Sequence, residues 1–203
     1  MNLFHRCLLL CTLGLLVAQT ARAATAPEEL IRQVSVEVIE SVKADKAIQA
    51  GDVARIIQLV DTKVMPHVNF QRMTASAVGR NWRSATPEQQ KRLQEEFKIL
   101  LVRSYAGALT QVKDQTVQLK PMRGNPGDTE VVVRTEVKGK GEPVQLDYRL
   151  EKSGDSWKIY DVNVLGVWLV EQYRVSFTQE ITAGGIDGLI AKLAERNKGT
   201  PKS

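Results

Sequence analysis

Cysteine and histidine are nearly absent from this chain. Both cysteines, Cys7 and Cys11, lie within residues 1–23, and of the two histidines only His67 lies beyond them. With that opening stretch removed, no Cys–His or multi-His metal site can be assembled and no cysteine nucleophile remains. A serine–histidine–acid arrangement would have to run through His67, yet no G-x-S-x-G element accompanies it. A lone histidine just after the helix-ending Pro66 reads instead as a surface or capping residue. Glycine-rich phosphate loops are missing too: Gly184-Gly185 follows a helical stretch and reads as its C-terminal stop. Aromatic residues are only 5% of the chain and the formal charge is +5; Arg6 and Arg22 leave with the opening stretch and no acid does, which makes it +3. So mild a charge, with so few rings, argues against a dedicated nucleic-acid binder.

Long apolar runs are lacking as well. The run Leu8 to Val17 is too short to span a bilayer. With Arg6 ahead of it and Ala21-Arg22-Ala23 behind it, residues 1–23 read as a cleaved secretion signal. Leu10 precedes Cys11 where a lipoprotein signal wants a small residue, so cleavage after Ala23 is expected, and not lipid attachment. The expected mature chain is therefore exported, free of disulfides and held by its core alone. Roughly 180 residues suffice for that, since a chain of this size buries about 70% of its unfolded surface. One domain is expected over residues 24–197, followed by a frayed polar tail, 198–203.

What the chain has in plenty is apolar periodicity. Residues 27–113 read as helical. Pro27 suits a first helical position, and Leu30, Ile31, Val34, Val38 and Val42 form one stripe. After Gly51-Asp52, Val53, Ile56, Ile57, Val60 and Val64 form a second, ended by Pro66. A short helix is expected around Phe70, Met73, Ala77 and Val78, stopped near Gly79. Met73 and Trp82 suit an irregular apolar wall and suit an ordinary core equally well. Thr86-Pro87-Glu88-Gln89 marks a helix start, with Thr86 as cap and Gln89 closing the box. That helix is expected to reach Lys113, about 40 Å on, with Leu93, Phe97, Leu100, Leu101, Tyr105, Ala108 and Val112 on one face.

The period then becomes two over residues 116–165. Thr116–Met122, the run through Val131, Val133, Thr135 and Val137, the run through Val144, Leu146, Tyr148 and Leu150, and Trp157–Leu165 are joined by short turns. Four strands so connected form an antiparallel meander with one face for a core. The helices of residues 27–113 and 167–197 must cover that face, which makes the fold class α+β. One pair of carboxylates invites an acid–base reading: Asp147 and Asp161 fall on neighbouring strands. The structural alternative pairs Asp147 with Arg149 or Arg134, and bonds Asp161 to nearby backbone or to Arg174.

The run Trp157 to Phe177 carries the most information. Trp157, Ile159 and Leu165 alternate against Tyr160, Val162 and Val164, so both faces of the strand are apolar. Gly166 breaks the pattern, and Val170, Tyr173, Phe177 and Ile181 recur at helical spacing. A strand covered on both faces that passes through glycine into an amphipathic helix points to a hinge beside an apolar interior. A W-x-x-Y-D-V strand, a G-V pair, Y-R-x-x-F and a later G-I-D-G-L are carried here by Trp157, Tyr160, Asp161, Val162, Gly166, Val167, Tyr173, Arg174, Phe177 and Gly185 to Leu189. In that order, with the M-P-H-V segment at Met65 and S-A-T-P-E-Q at Ser84, they resemble the MlaC (toluene-tolerance) family, periplasmic phospholipid-binding carriers of the Mla outer-membrane lipid asymmetry pathway. Trp168 departs from the pattern, which has a small polar residue there; an indole at that position would narrow the cavity.

The resemblance implies an antiparallel four-stranded curved sheet covered by helices and enclosing an apolar cavity, NTF2-like in outline. It implies a periplasmic, soluble monomer that holds a glycerophospholipid by its acyl chains, with no cofactor, no metal and no reaction beyond transfer. The partners it implies are an outer-membrane lipoprotein–porin complex and an inner-membrane ABC transporter with a lipid-binding hexamer. On that reading the acyl chains lie against Phe70, Val78, Phe97, Leu101, Tyr105, Tyr148, Tyr160, Val164 and Val167, of which Tyr105 and Val167 match pocket positions of the family. Arg80, Arg83 and Arg149 are candidates for head-group or partner contacts. Other readings stay open at this point: a binder of a different apolar ligand, such as a hopanoid, a sterol-like molecule or a solvent; a small hydrolase or isomerase using Asp147 and Asp161; and a protein-binding module with a filled core.

Overall fold

A computed structural model describes residues 26–199 apart from Arg123 and Pro126; the expected leader and residues 200–203 lie outside them. The helices begin where local chemistry starts them. Helix α1, Pro27–Ala44, has Pro27 in its first turn, and Glu28 and Glu29 there complement the helix dipole. It buries Leu30, Ile31, Val34 and Val42. Asp45 ends it and caps α2, Lys46–Gln49, by accepting from the N–H groups of Ala47 and Ile48. Asp52 does the same for α3, Val53–Leu59. The expected continuation to Val64 is not an α-helix: a π turn over Val60–Val64 and a 3-10 turn over Met65–His67 spread that stripe over a tightening backbone around Pro66. Helix α4, Phe70–Val78, is capped by Asn69, and a 3-10 segment, Gly79–Ser84, leads from it to α5, Pro87–Thr110, which begins with the expected capping box of Thr86 and Gln89.

Five antiparallel strands follow in sequential order: β1 Thr116–Leu119, β2 Glu130–Lys138, β3 Val144–Ser153, β4 Ser156–Val164 and β5 Val167–Trp168. The four expected strands are present, and β5 is an addition. Leu165 and Gly166 join β4 to β5 in a two-residue hairpin with φ of 51° and 90°. Positive φ at both central residues matches the twist of the flanking strands; glycine adopts it freely and leucine does so at a cost.

A β-bulge changes what β4 presents. Leu150 pairs with Ile159 but Arg149 pairs with Asp161, so Tyr160 is an extra residue. Trp157 and Ile159 before the bulge therefore share the inner face with Val162 and Val164 after it, while Asp161 and Asn163 turn to the outer face. The alternation expected from the sequence, with Tyr160, Val162 and Val164 together, holds only for an unbroken strand. On the outer side Tyr160 donates its hydroxyl hydrogen to Glu130 at 2.9 Å, and the Arg72 guanidinium sits 3.7 Å from the ring centroid. Arg72 also pairs with Glu130 at 2.7 Å and with Glu151. These bonds hold the Glu130 carboxyl below its usual range, the Arg72 bond foremost. The Asn69 N–H donates to the Ile159 carbonyl at 2.8 Å, which ties α4 to the β4 edge.

Helix α6, Leu169–Lys198, is interrupted at Gly185 (φ 68°, ψ −170°). Before the break it runs against α5: Phe97 touches Tyr173 and Phe177, while Tyr173 also neighbours Tyr105. After the break it runs with α5, because Gln89 bonds Asp187 and Glu96 bonds Asn197. The break is therefore a reversal, placed at the glycine the sequence marks as a helix stop. The core divides into three apolar clusters. One joins α4, α5 and α6 around Phe97; one joins α1 to the inner sheet face; one joins the end of α1 to α2, α3 and the second half of α5.

Candidate functional site

The strand register arranges the inner face of the sheet in rows, and over β3, β4 and β5 exposure rises from the first row toward the last. In the deepest row Val131, Leu150 and Ile159 lie side by side under Leu30, Ile31 and Val34 of α1, and Leu150 is 0% exposed. The next row is Val133, Tyr148 and Val162, where Val133 is buried and the other two are half-buried. Leu119, Thr135, Leu146, Val164 and Val167 follow; Thr135 is buried, Leu146 and Val164 are half-buried and Val167 is 49% exposed. The last row is Val117, Val137 and Val144, with Val144 38% exposed. Leu165, at 65%, stands on the hairpin beside it, where its N–H donates to the Gln145 carbonyl. Isolated exposed aliphatics need no explanation, but a contiguous set at the end of an apolar face marks a surface that something else covers.

The wall facing this sheet end comes from α5 and α6. Phe97 is fully buried at the centre of a ring cluster, with Tyr173 at 5.0 Å, Phe177 at 5.1 Å and Phe70 at 5.7 Å between centroids. Edge-to-face contacts of this kind fix the two helices against each other. Toward the open end the packing loosens: Leu101, Tyr105, Tyr173 and Val162 are half-buried, and Leu101, Tyr173 and Val162 all pack on that same cluster. Burial raises the Tyr105 hydroxyl above its usual pKa, and Tyr173 nearby adds to the effect. The site is thus closed at the α1 end, half-open and apolar at the other, with tyrosine hydroxyls as its polar points.

Behind the open end, on the outer sheet face, a polar latch holds the hairpin and the start of α6. Asp161, 1% exposed, accepts from the N–H groups of Val162 (2.9 Å) and Val170 (3.1 Å) and pairs with Arg149 at 3.1 Å. Burial pushes its carboxyl upward against the opposing pull of those N–H groups and of Arg149. Asn163 accepts from the Gly166 N–H at 2.8 Å. Trp168 pairs with Asn163 across β4 and β5, and its ring covers the Arg149 guanidinium at 3.8 Å. Since Trp168 lies on the face opposite Val167, it does not narrow the interior; it shields the latch. Asp147 accepts from Gln145 at 2.9 Å and stands 4.0 Å from Arg134. Asp161 is thus held by backbone, as the structural alternative has it, but its side-chain partner is Arg149, which that alternative gave to Asp147, and Arg174 donates to the Ser76 carbonyl instead.

The residues singled out from sequence fall into distinct groups. Phe70, Val78 and Phe97 are buried in the helical cluster and form the back of the wall. Val164 and Val167 lie at the half-open end of the inner sheet face with Tyr148 one row deeper, while Leu101 and Tyr105 lie on the helical side, Leu101 against the ring cluster and Tyr105 beside Tyr173. Tyr160 does not join them, because the bulge sends it to the Arg72–Glu130 network. Arg149 belongs to the latch, which leaves Arg80 and Arg83, both exposed on the 3-10 segment after α4, as the freer cations. Leu146, Val162 and Tyr173 belong to the site and were not singled out. For Leu146 and Val162 the missing signal is the register, and for Tyr173 it is the neighbourhood of Tyr105. Surface depressions of about 180 Å³, by Ser41, Asp45 and Arg55, and about 540 Å³, by Lys43, Gln49 and Lys113, lie away from this site. Among the described residues no group of three or more metal-ligating side chains is placed to hold an ion, and no helix is long and apolar enough to cross a membrane.

Known proteins are similar to this chain. The chain is 46% identical to a phospholipid-binding protein of Ralstonia solanacearum solved in complex with a phospholipid; the two superpose with a TM-score of 0.81 over 84% of this chain and 96% of the other. It is 26% identical to the intermembrane phospholipid transport system binding protein MlaC of Haemophilus influenzae, over 89% of this chain and 86% of that one. It is 25% identical to the toluene tolerance protein Ttg2D of Pseudomonas putida, over 89% and 87% respectively. The model of the MlaC protein family matches residues 32–195. The match takes in α1 from Arg32 onward, the whole sheet and nearly all of α6, and the chain belongs to the MlaC family.

Proposed function

We propose that this protein is a periplasmic phospholipid carrier that shuttles glycerophospholipids between an outer-membrane lipoprotein–porin complex and an inner-membrane ABC transporter with its lipid-binding hexamer. The observation that carries this reading is the graded apolar interior, sealed under α1 and half-open at Val144, Val164 and Val167. It offers acyl chains a dry lining and leaves a head group at solvent. The names of its relatives point the same way, since one binds a phospholipid in its solved structure and another is named for intermembrane phospholipid transport. Leu101, Tyr105, Tyr148, Val164 and Val167 line the chains in this proposal, with Phe70, Val78 and Phe97 behind them. Arg80 and Arg83 face the head group or a docking partner.

The energetics explain why such a carrier needs partners. Roughly 15 buried methylenes per chain, at about 0.8 kcal/mol each, give a gross term of about 24 kcal/mol for two chains. That exceeds the practical ceiling of non-covalent affinity, about 20 kcal/mol, so ordering and cavity costs cancel part of it. Release into water is slow even so, and handover requires direct docking at either membrane. Of the two carboxylates in the enzyme reading, Asp161 has both oxygens committed to backbone and Arg149, while Asp147 bonds Gln145 through Oδ2 and its buried Oδ1 has no hydrogen-bond partner among the described residues. The reading as a carrier of a different apolar ligand drew on Trp168, which lies on the outer face. Replacing the half-exposed Val167 by glutamate tests the proposal. Val167→Glu is expected to fold with an unchanged circular dichroism spectrum and to lose its bound phospholipid on extraction. A folded variant that keeps its lipid would remove Val167 from the site.

A further inference from the structure

We propose that Tyr148 is the floor of the acyl site and selects the chain lengths this protein carries; this rests on the carrier reading above. The sheet places Tyr148 at the boundary where burial changes. One row deeper, Leu150 and its neighbours are sealed by α1; one row nearer the mouth, Leu146 and Val164 keep accessible surface. From that row outward to the mouth the other inner-facing side chains of β2 to β5 are valine, threonine and leucine, so Tyr148 is the one ring on that part of the sheet face. Its hydroxyl lies beside those of Ser35 on α1 and Thr135 on β2, which oppose the upward push of burial on its pKa. The side chain therefore reaches from the sheet to the covering helix and closes the gap between them.

Chemistry makes this a stop and not merely a narrowing. The hydroxyls of Tyr148, Ser35 and Thr135 gather between α1 and the sheet, and an apolar chain driven between them would part them. Thr135 further donates to the Leu146 carbonyl at 2.7 Å, which pins one of the three. A terminal methyl pushed past Tyr148 would part its hydroxyl from Ser35 and Thr135, and that penalty opposes the gain from burying further methylenes. The run from Val144 at the mouth to Tyr148 is four residues of antiparallel strand, a depth of about 14 Å. Chains that need more room than this depth and the helical wall supply must leave methylenes in water.

The test is uptake from vesicles containing equal parts of dimyristoyl, dipalmitoyl and distearoyl phosphatidylglycerol, read by native mass spectrometry of the full mature chain. Tyr148→Leu lowers the floor and is expected to shift the bound distribution toward longer chains, by about fourfold for each further methylene that becomes buried. Leu146→Phe raises the floor by one row and is expected to shift it toward shorter chains. A distribution equal to that of the unsubstituted protein in either folded, lipid-loaded variant would overturn the proposal, as would an unsubstituted protein indifferent to length. Should Tyr148→Leu fail to fold, the Leu146→Phe result decides alone. An unsubstituted protein that takes up no lipid would instead overturn the carrier reading itself, a distinct outcome.

Discussion

Asp161 ties together parts of the chain that meet only in the folded state. Its carboxylate, on the outer face of β4, accepts the Val170 N–H at the start of α6 and holds Arg149 of β3, which Trp168 then covers. Removing it leaves a buried N–H unpartnered and an arginine without its counter-charge. Because Arg149 keeps about a third of its side chain in water, the loss is smaller than for a wholly buried pair. Asp161→Ala is expected to cost about 3 kcal/mol in urea unfolding. A cost within a few tenths of zero would show that the latch does not hold the hairpin. At this scale the sequence is informative about chemistry and poor about direction. It names Asp161 and Arg149 as polar residues in an apolar strand pair. It cannot show that one bulged residue, Tyr160, turns Asp161 outward and aims Val162 and Val164 inward. The same geometry places Trp168 over Arg149 and away from the interior.

Element boundaries follow from residues whose preferences are strong. Thr86, Pro87 and Gln89 start α5 by pairing orphan N–H groups, and Asp45, Asp52 and Asn69 cap the three helices before it. Elements of two to four residues, β5 and α2, escape a periodicity argument because no repeat fits inside them. Helix α6 shows what a single backbone position decides. At φ 68° and ψ −170°, Gly185 occupies a region that L side chains scarcely reach, and nothing lies within 4 Å of where a Cβ would stand. Strain alone, not crowding, therefore opposes substitution. Gly185→Ala is expected to lower stability by about 1–3 kcal/mol, measured by thermal or urea unfolding, and to loosen the contact of Leu189 and Leu193 with α5. Unchanged stability would mean that the reversal is not set by this residue.

Over the whole molecule, a sheet and a helical wall converge tightly at one end and part at the other. The apolar stripes that line both are visible in the sequence, as is the α+β order of elements. Whether the interior between them is filled or receptive is not, since a half-buried valine and a fully buried one look alike in a periodic pattern. Register supplies the difference: it sets Leu150 and Ile159 under α1 and leaves Val144, Val164 and Val167 at the rim. The central claim is that this interior is occupied by phospholipid when the protein is at work. Native mass spectrometry of the mature chain, purified from periplasm without detergent and followed by lipid extraction, tests it most directly. The account predicts a mass above the bare chain by one or a few phospholipids, recovered intact on extraction. A bare chain that also takes up no lipid from vesicles would contradict it.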